Sequence, residues 1–451
     1  MGTSGGDAAR DLELLHDLVT RASKAGADAA DAVLFRGTAL EVTWRLGKPE
    51  DLGRSESRDL GLRVFLGRRP AMVSSNDFGR GTLAEMVARA LAMAKAAPED
   101  AYAGLAPEDR LARSFPELDL DDGEEPPAEA LHARAAACEA SALAVPGVSN
   151  SDGAGAGWSR SRASLVTSHG FAGSYAGSSH GVHAAVLAGQ GTAMERDYDY
   201  TSARHLADLR PPHEIGRHAG ELAVARLKPR KVKSQQVPVL FDPRVSRTLI
   251  GHLAGAIAGT AVARGTSFLK DKLAGQVFAK GIEIVDDPHL RRGLASKPFD
   301  AEGVANGRMT LVDDGRLVSW LLDSASARQL GLATTGHAGR GTSAPPAPAT
   351  ANLYLSAGAI PPEALLADID NGFYVTELFG FGVNGVTGDY SRGASGFWIE
   401  RGRKAYPVSE LTIAGNLKEM FRSLTPASDL AFRYATNAPT LRVDGMTVAG
   451  T

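Results

Sequence analysis

Apolar residues near the N-terminus recur at helical spacing, which predicts an amphipathic helix over residues 7–25. Two apolar segments follow at 32–36 and 40–44, and the second alternates with polar residues as a half-buried strand does. Residues 60–65 and 69–74 are two further apolar runs, separated by a short turn that contains glycine. This spacing predicts a β-hairpin, so the chain begins with a helix and continues with strands.

A second helix is predicted over residues 83–97 and ends there, because Pro98 cannot continue it. Residues 98–127 are acidic and contain several prolines, a composition typical of a connecting segment. The helical pattern returns at 128–143. Residues 162–200 then alternate small polar and apolar residues, with glycine pairs at the turns, and predict long antiparallel strands.

A domain boundary is predicted at the basic stretch 229–236, which follows a helix over 213–227. The second domain begins with a strand at 237–241 and a helix of small residues at 245–263. Beyond about residue 280, short apolar runs alternate with Gly and Pro turns, for example at 373–379, 396–400 and 441–448. This pattern predicts a β-rich domain.

The expected fold class is therefore α+β: an N-terminal α/β domain of residues 1–230, then a β-rich C-terminal domain of residues 231–451. Hydrophobic residues make up 43% of the 451-residue chain, enough for a sizeable core. The net charge of −3 does not indicate a nucleic-acid or membrane partner. Cys138 is the only cysteine, which excludes an intrachain disulfide and fits a reducing compartment. With no secretory signal and no run of 18 apolar residues, a cytoplasmic protein is expected.

One short motif contains the residue types of a zinc hydrolase. His213, Glu214 and His218 read H-E-x-x-x-H, which supplies two metal ligands and a general base. Five residues at 100° each place the two imidazoles about 140° apart around a regular helix, whereas an i, i+4 pair shares one face. No cysteine follows to complete the site. These three residues are therefore weak metal candidates, and a self-sufficient zinc metallopeptidase that uses them is the alternative hypothesis.

Two other short motifs lack the structural context that their chemistry needs. Residues 177–181 match G-x-S-x-G, but a nucleophile elbow needs a strand before it and a helix after it, and strand-like residues lie on both sides here. Residues 380–385 match G-x-G-x-x-G, but turn and strand residues follow where a dinucleotide site needs a helix. Neither motif predicts a function.

The most distinctive segment of the chain is 385–420, which contains Gly-Val-Thr-Gly-Asp-Tyr-Ser-Arg-Gly-Ala-Ser-Gly-Phe-Trp-Ile-Glu. It closely resembles the PmbA (TldE) branch of the TldD/PmbA family, also named modulators of DNA gyrase. Other stretches agree in order, namely 61–65, 73–77, 264–267, 299–303, 322–328 and 439–443. The resemblance implies a cytoplasmic protease complex of a TldD-like and a PmbA-like subunit that cleaves small, unfolded peptides.

The resemblance also implies where zinc should be held in the TldD-like subunit: on a helix just after the first strand of the second domain, with a cysteine near the C-terminus. Counting back from residues 264–267, the three positions here are Ile250, Gly251 and Gly255, with His252 beside them. Residues 425–437 contain no cysteine. We therefore expect a non-catalytic subunit with no cofactor of its own, and zinc in its TldD-like partner.

A chain without the metal site can still hold an extended peptide through backbone groups and shallow pockets. The glycine-rich strands nearby predict a substrate or partner groove formed by Gly388, Asp389, Ser391, Arg392 and Trp398. Turn and salt-bridge chemistry is the alternative role for the charged pair. A nucleic-acid regulator, motivated by a basic region, lacks interleaved aromatics and any recognised motif. The sequence leaves open whether the chain also forms homodimers, and it does not identify the natural peptide.

Overall fold

The computed structural model describes the backbone of residues 3–450 and the side chains of residues 6–450. Its α-helices are α1 (Thr3–Lys24), α2 (Arg80–Ala96), α3 (Ala128–Leu143), α4 (Pro212–Ala225), α5 (Pro243–Ala256), α6 (Gly259–Ala263), α7 (Ser324–Leu330), α8 (Pro362–Ala367) and α9 (Leu417–Arg422). The predicted helix 245–263 is divided into α5 and α6, because Ala258 adopts an extended conformation. Within residues 3–450, no helix has the length and apolarity needed to cross a bilayer.

The N-terminal half (residues 3–230) contains one antiparallel sheet in the order β3-β2-β1-β4-β5-β6. Its strands are β1 (Ala29–Arg45), β2 (Lys48–Leu66), β3 (Arg69–Ser75), β4 (Val148–Thr167), β5 (Ala172–Ala188) and β6 (Glu195–Ala203). The two strands predicted at 32–36 and 40–44 are one continuous strand, since β1 pairs along its whole length with β2. Residues 48–59 belong to β2 although all are exposed, because backbone pairing needs no apolar side chains.

Helices α1–α4 cover one face of this sheet through two separate apolar clusters. Leu34 of β1 packs with Leu15 of α1 in the first cluster, together with residues of α2. Val42 at the other end of β1 packs with Cys138 of α3 and Ile215 of α4 in the second. Cys138 is completely buried, and burial raises the pKa of its thiol to about 12.

The C-terminal half (residues 231–450) is rich in strands, which confirms the predicted α+β class. They are β7 (Gln235–Phe241), β8 (Ile284–Asp286), β9 (Met309–Asp313), β10 (Arg316–Leu317), β11 (Ala338–Gly339), β12 (Ala347–Pro348), β13 (Leu353–Leu355), β14 (Asn371–Phe379), β15 (Asp389–Glu400), β16 (Arg403–Asn416), β17 (Leu424–Pro426), β18 (Thr436–Asn437) and β19 (Leu441–Ala449). The main sheet runs β16-β15-β14-β7-β19-β17, and a further β16–β19 pairing closes five of these strands on themselves.

The connecting segment (residues 97–127) joins α2 to α3, both in the N-terminal half, yet it lies against the C-terminal half. Ala112 donates its backbone N–H to the carbonyl of Gly303 at 2.9 Å. Arg328 of α7 donates to three of the segment's carbonyls, those of Tyr102, Gly104 and Leu105. The acidic, proline-containing stretch is therefore part of the contact between the two halves.

Candidate functional site

The segment that carries the resemblance forms the loop 380–388 and the second strand of the β14–β15 hairpin. Asn384 organises this loop from its centre. Its side-chain oxygen accepts the backbone N–H of Val386 at 2.9 Å, and its backbone carbonyl accepts that of Gly388 at 2.8 Å. Its own N–H donates to the carbonyl of Asp389 at 2.9 Å. These bonds hold the loop in one shape at the surface.

The charged pair predicted for the groove stabilises the same loop. Asp389 accepts hydrogen bonds from the Thr387 hydroxyl at 2.6 Å and the Asn416 amide at 2.9 Å. These two bonds, with Thr387 the stronger cause, hold the pKa of the exposed Asp389 below its ordinary value. Arg392 donates from Nε to the carbonyl of Phe379 at 3.1 Å. The turn chemistry considered as the alternative role is therefore present in the structure.

The remaining predicted groove residues lie in different surroundings. Gly388 is buried and has a φ of 87°, a left-handed conformation that favours glycine. Ser391 is exposed, whereas Trp398 is 3% exposed inside the C-terminal core, which corrects its assignment to a groove. β15 pairs with β14 on one side and β16 on the other. β14 pairs only with residues 393–400 of β15, and the loop 380–388 covers the rest of that side, where Ser391 donates its N–H to the carbonyl of Gly382 at 2.6 Å. Within the described residues, β15 therefore has no free backbone edge for the predicted strand addition on residues 388–398.

The loop presents apolar side chains that sequence reasoning missed. Phe381 is fully exposed, at 101%, and it is flanked by Val386 at 56% and Phe379 at 45%. The sequence signal for this feature was a phenylalanine in a glycine-rich loop between two strands. It was missed because residues 380–385 were considered only as a G-x-G-x-x-G motif. Exposed aromatic side chains held on an ordered loop are typical anchors of protein interfaces.

Helix α5 follows β7 directly and carries the three positions at which the resemblance implies zinc. Ile250 is completely buried in the C-terminal core. Gly251 and Gly255 are exposed, and a Cβ atom at either position would meet no atom within 4 Å. At these three positions the helix therefore has one apolar core side chain and an open surface without side chains.

His252 connects this helix to the hairpin. Its ring lies 6.0 Å from the ring of the buried Tyr390, centre to centre, in an edge-to-face arrangement. Burial, and then the charge of Arg392, lower the pKa of His252. Within the described residues, neither His252 Nε2 nor the Tyr390 hydroxyl has a hydrogen-bond partner. This contact packs α5 against β15, the strand that directly follows the loop 380–388.

The H-E-x-x-x-H residues lie elsewhere, at the start of α4. Glu214 and His218 line a cleft of about 460 Å³ between α4 and the C-terminal half, but His213 does not. His218 Nδ1 lies 2.8 Å from Asp199 Oδ2, and Arg210 lies 3.2 Å from the same oxygen. Burial opposes ionisation of Asp199, but His218 and Arg210 lower its pKa overall. Among the described residues, no three His, Cys, Asp or Glu side chains are grouped to hold a metal ion.

Three consecutive family models match this fold: PmbA/TldA metallopeptidase domain 1 at residues 30–94, the central domain at 121–227 and the C-terminal domain at 234–450. The chain belongs to the PmbA/TldD family of metallopeptidases. It is 38% identical to Metalloprotease PmbA of Escherichia coli O157:H7 over 425 residues, 94% of this chain and 92% of that protein.

Two solved structures have the same fold. A protein described as a modulator of DNA gyrase, from Bacteroides thetaiotaomicron, superposes with a TM-score of 0.90 and 25% identity over 100% of both chains. TldE from Thermococcus kodakarensis superposes with a TM-score of 0.87, over 97% of this chain and 100% of that one. Its 19% identity supports the fold alone.

Proposed function

We propose that this chain is the PmbA/TldE-like subunit of a cytoplasmic TldD/TldE-type metalloprotease complex that acts on small, unfolded peptides. In this proposal the chain holds no zinc, and the TldD-like partner supplies it. The observation that carries the proposal is the surface of α5, where Ile250 is buried and Gly251 and Gly255 have no side chains. A zinc peptidase needs its ligands and its general base on one frame, and these residues do not fit a zinc ion.

The docking surface for the partner is inferred from the same region. The exposed glycines of α5 allow another backbone to approach closely, and Phe381 is fully exposed on the loop 380–388. The two elements are linked through residues 267–268: the Ser267 hydroxyl donates to the carbonyl of Ala256 at the end of α5 at 2.6 Å, and Phe268 donates its N–H to the carbonyl of Gly385 at 2.9 Å. An open helix surface and one exposed aromatic anchor are features of a protein interface rather than of an enclosed catalytic pocket.

The test compares peptide cleavage by the TldD-like subunit alone, by this chain alone and by their mixture. We expect no cleavage by this chain, and more cleavage by the mixture than by the partner alone. The two chains should also co-purify from the native cell in equal amounts. A mixture no more active than the partner alone would contradict the subunit role.

One outcome would favour the alternative function instead. If the chain alone cleaves peptides and a chelator stops it, the protein is a self-sufficient zinc metallopeptidase. The loss of that activity in a His213→Ala/His218→Ala variant would then assign the metal to α4. Arg217→Ala, an exposed change on the same helix, is the matched control.

A further inference from the structure

A cavity of about 370 Å³ lies where the N-terminal sheet meets the C-terminal half. Its walls are mostly apolar and come from the β2–β3 hairpin, α2 and the loop before β12: Phe65, Pro70, Met72, Met93, Pro345 and Pro346. Protein sites for small organic ligands have volumes of about 300–1,000 Å³ and similar walls. None of the lining residues belongs to α5 or to the loop 380–388.

Two buried carboxylates line this apolar cavity. Glu302 is 4% exposed and Asp323 is 1% exposed. Glu302 Oε2 accepts the backbone N–H of Ser324 at 2.8 Å, and Asp323 Oδ1 accepts that of Ser326 at 3.1 Å. Throughout residues 6–450, no Lys, Arg or His nitrogen lies within 4.0 Å of either carboxylate.

Negative charge without a paired cation is expensive at this depth. Burial raises the pKa of Glu302, although the nearby Arg63 opposes the shift. Arg63 also lines the cavity, but its guanidinium is already bonded to Asp31, at 2.8 Å from Nε. Asp300 lies close by, and its pKa is raised to about 7 by burial and by the charge of Glu302. Arg328 also acts on Glu302 and Asp323 through its charge, but its guanidinium donates to three backbone carbonyls of the connecting segment. A bound cation would therefore give the two carboxylates a direct ion-pair partner.

We propose that the cavity binds a primary ammonium group attached to an apolar chain. The ammonium lies against Glu302 and Asp323, where its three N–H donors meet carboxylate oxygens, and the chain lies against the apolar walls. The charge favours a cation, and the apolar walls favour an alkyl or leucine-like body over a hydrated metal ion. This site stands apart from the proposed subunit role, because it uses no residue of that docking surface.

The first experiment measures binding of n-hexylamine, n-hexanol and hexanoate to the full chain by calorimetry, in phosphate buffer because Tris is itself an amine. We expect hexylamine to bind at least tenfold more tightly than hexanol, and hexanoate not to bind. Burial raises the pKa of Glu302 and ammonium binding favours its ionised form, so hexylamine should bind more tightly as the pH rises from 5 to 8. Equal binding of hexanol, or no binding of hexylamine, would overturn the proposal.

Two variants locate the site. Glu302→Gln should weaken hexylamine binding at least tenfold, whereas Glu85→Gln, an exposed change on α2, should leave the affinity unchanged. If Glu302→Gln does not fold, Met72→Trp fills the cavity without touching a carboxylate and should also prevent binding. Unchanged binding in the folded variant would place the ligand elsewhere and refute the assignment.

A final comparison identifies the source of the ammonium group. Leucyl-leucine amide carries a free amino terminus, and its N-acetylated form does not. Binding of the free form alone, beside hexylamine, assigns the cavity to a peptide N-terminus. Binding of hexylamine without either dipeptide assigns it to a small amine. Equal binding of the acetylated and free forms would show that the charge is not recognised and would overturn the proposal.

Discussion

The guanidinium of Arg340 lies 2.6 Å from the carboxylate of Asp31, and this contact joins the two halves of the chain inside the molecule. The two side chains are 0% and 1% exposed. Arg63 of β2 also donates to Asp31, so one carboxylate is shared by two guanidiniums. Burial alone would raise the pKa of Asp31, but Arg340 and Arg63 lower it overall. The junction therefore depends on a charged Asp31.

Asp31→Asn should destabilise the protein by about 3–5 kcal/mol, because it leaves two buried guanidiniums without their anion. The matched control is Asp152→Asn, which removes an exposed pair with Arg196 at 2.7 Å. That change should cost less than about 1 kcal/mol. Urea denaturation of both variants at pH 7 measures the two free energies of unfolding. Similar small losses would show that the buried pair contributes no more than a surface pair.

Asp300 predicts a dependence of stability on pH. Its pKa is about 7 in the folded protein, against an ordinary value of 3.8. Between these values the folded state binds more protons than the unfolded state, so the free energy of unfolding falls as pH rises through this window and levels off above about 7. Asp300→Asn should reduce the slope of the free energy of unfolding against pH in this window by up to about 1.4 kcal/mol per pH unit. Denaturation at pH 5, 6, 7 and 8 gives both curves, and parallel curves would contradict the prediction.

The purified chain should contain no stoichiometric zinc. The reason is that α5 offers Ile250, Gly251 and Gly255 where ligands and a base are needed. Elemental analysis after gentle purification without chelators measures the metal content. About one zinc per chain, lost in His213→Ala/His218→Ala, would refute the prediction and assign the metal to α4.

Phe381→Ser should weaken association with the TldD-like partner at least tenfold, because interface energy concentrates in a few buried aromatic anchors. Its stability should change little, since the side chain is fully exposed. Leu52→Ser on β2 removes another exposed apolar side chain, at 52%, and is the matched control. Analytical ultracentrifugation of the mixtures measures both affinities. Equal affinities for the two variants would move the interface away from the loop 380–388.

Two glycine substitutions on helices should have opposite effects. A Cβ at Gly216 would lie 1.9 Å from the carbonyl oxygen of Cys138, so Gly216→Ala must separate α3 from α4 and should destabilise by about 1–3 kcal/mol. Gly251→Ala enters open space and should stabilise α5 by up to about 1 kcal/mol. Thermal unfolding compares the two. A neutral Gly216→Ala would mean that the helix contact adjusts freely.

The pattern of apolar residues was sufficient to predict the fold class, since α2 buries them at helical spacing and β14 buries a short continuous run. It could not predict residues 48–59 of β2, which are exposed and are held by backbone pairing alone. It also could not predict the closure of the C-terminal sheet, because the Ile413–Val448 pairing joins strands that are distant in sequence.

The candidate site was predicted only in part. The resemblance pointed to the exposed Asp389 and Ser391 and the half-buried Arg392. Trp398 was misassigned, because a tryptophan on a glycine-rich strand has the same sequence signal in a core as in a groove. The contact of His252 with Tyr390 depends on how α5 lies against the hairpin. Local sequence contains no information on that placement.

The hydrogen bonds from Arg328 to the connecting segment have a consequence for synthesis on the ribosome. Tyr102 emerges 226 residues before the arginine that binds its carbonyl. At a translation rate of about 5–20 residues per second, Arg328 is synthesised roughly 10–45 seconds after Tyr102. During that interval strands β4–β6 are translated and can already bind the later part of the segment, as Arg160 binds Asp121, whereas residues 102–105 still lack Arg328. Residues 102–105 therefore stay open to a chaperone or protease that samples nascent chains until Arg328 has been synthesised.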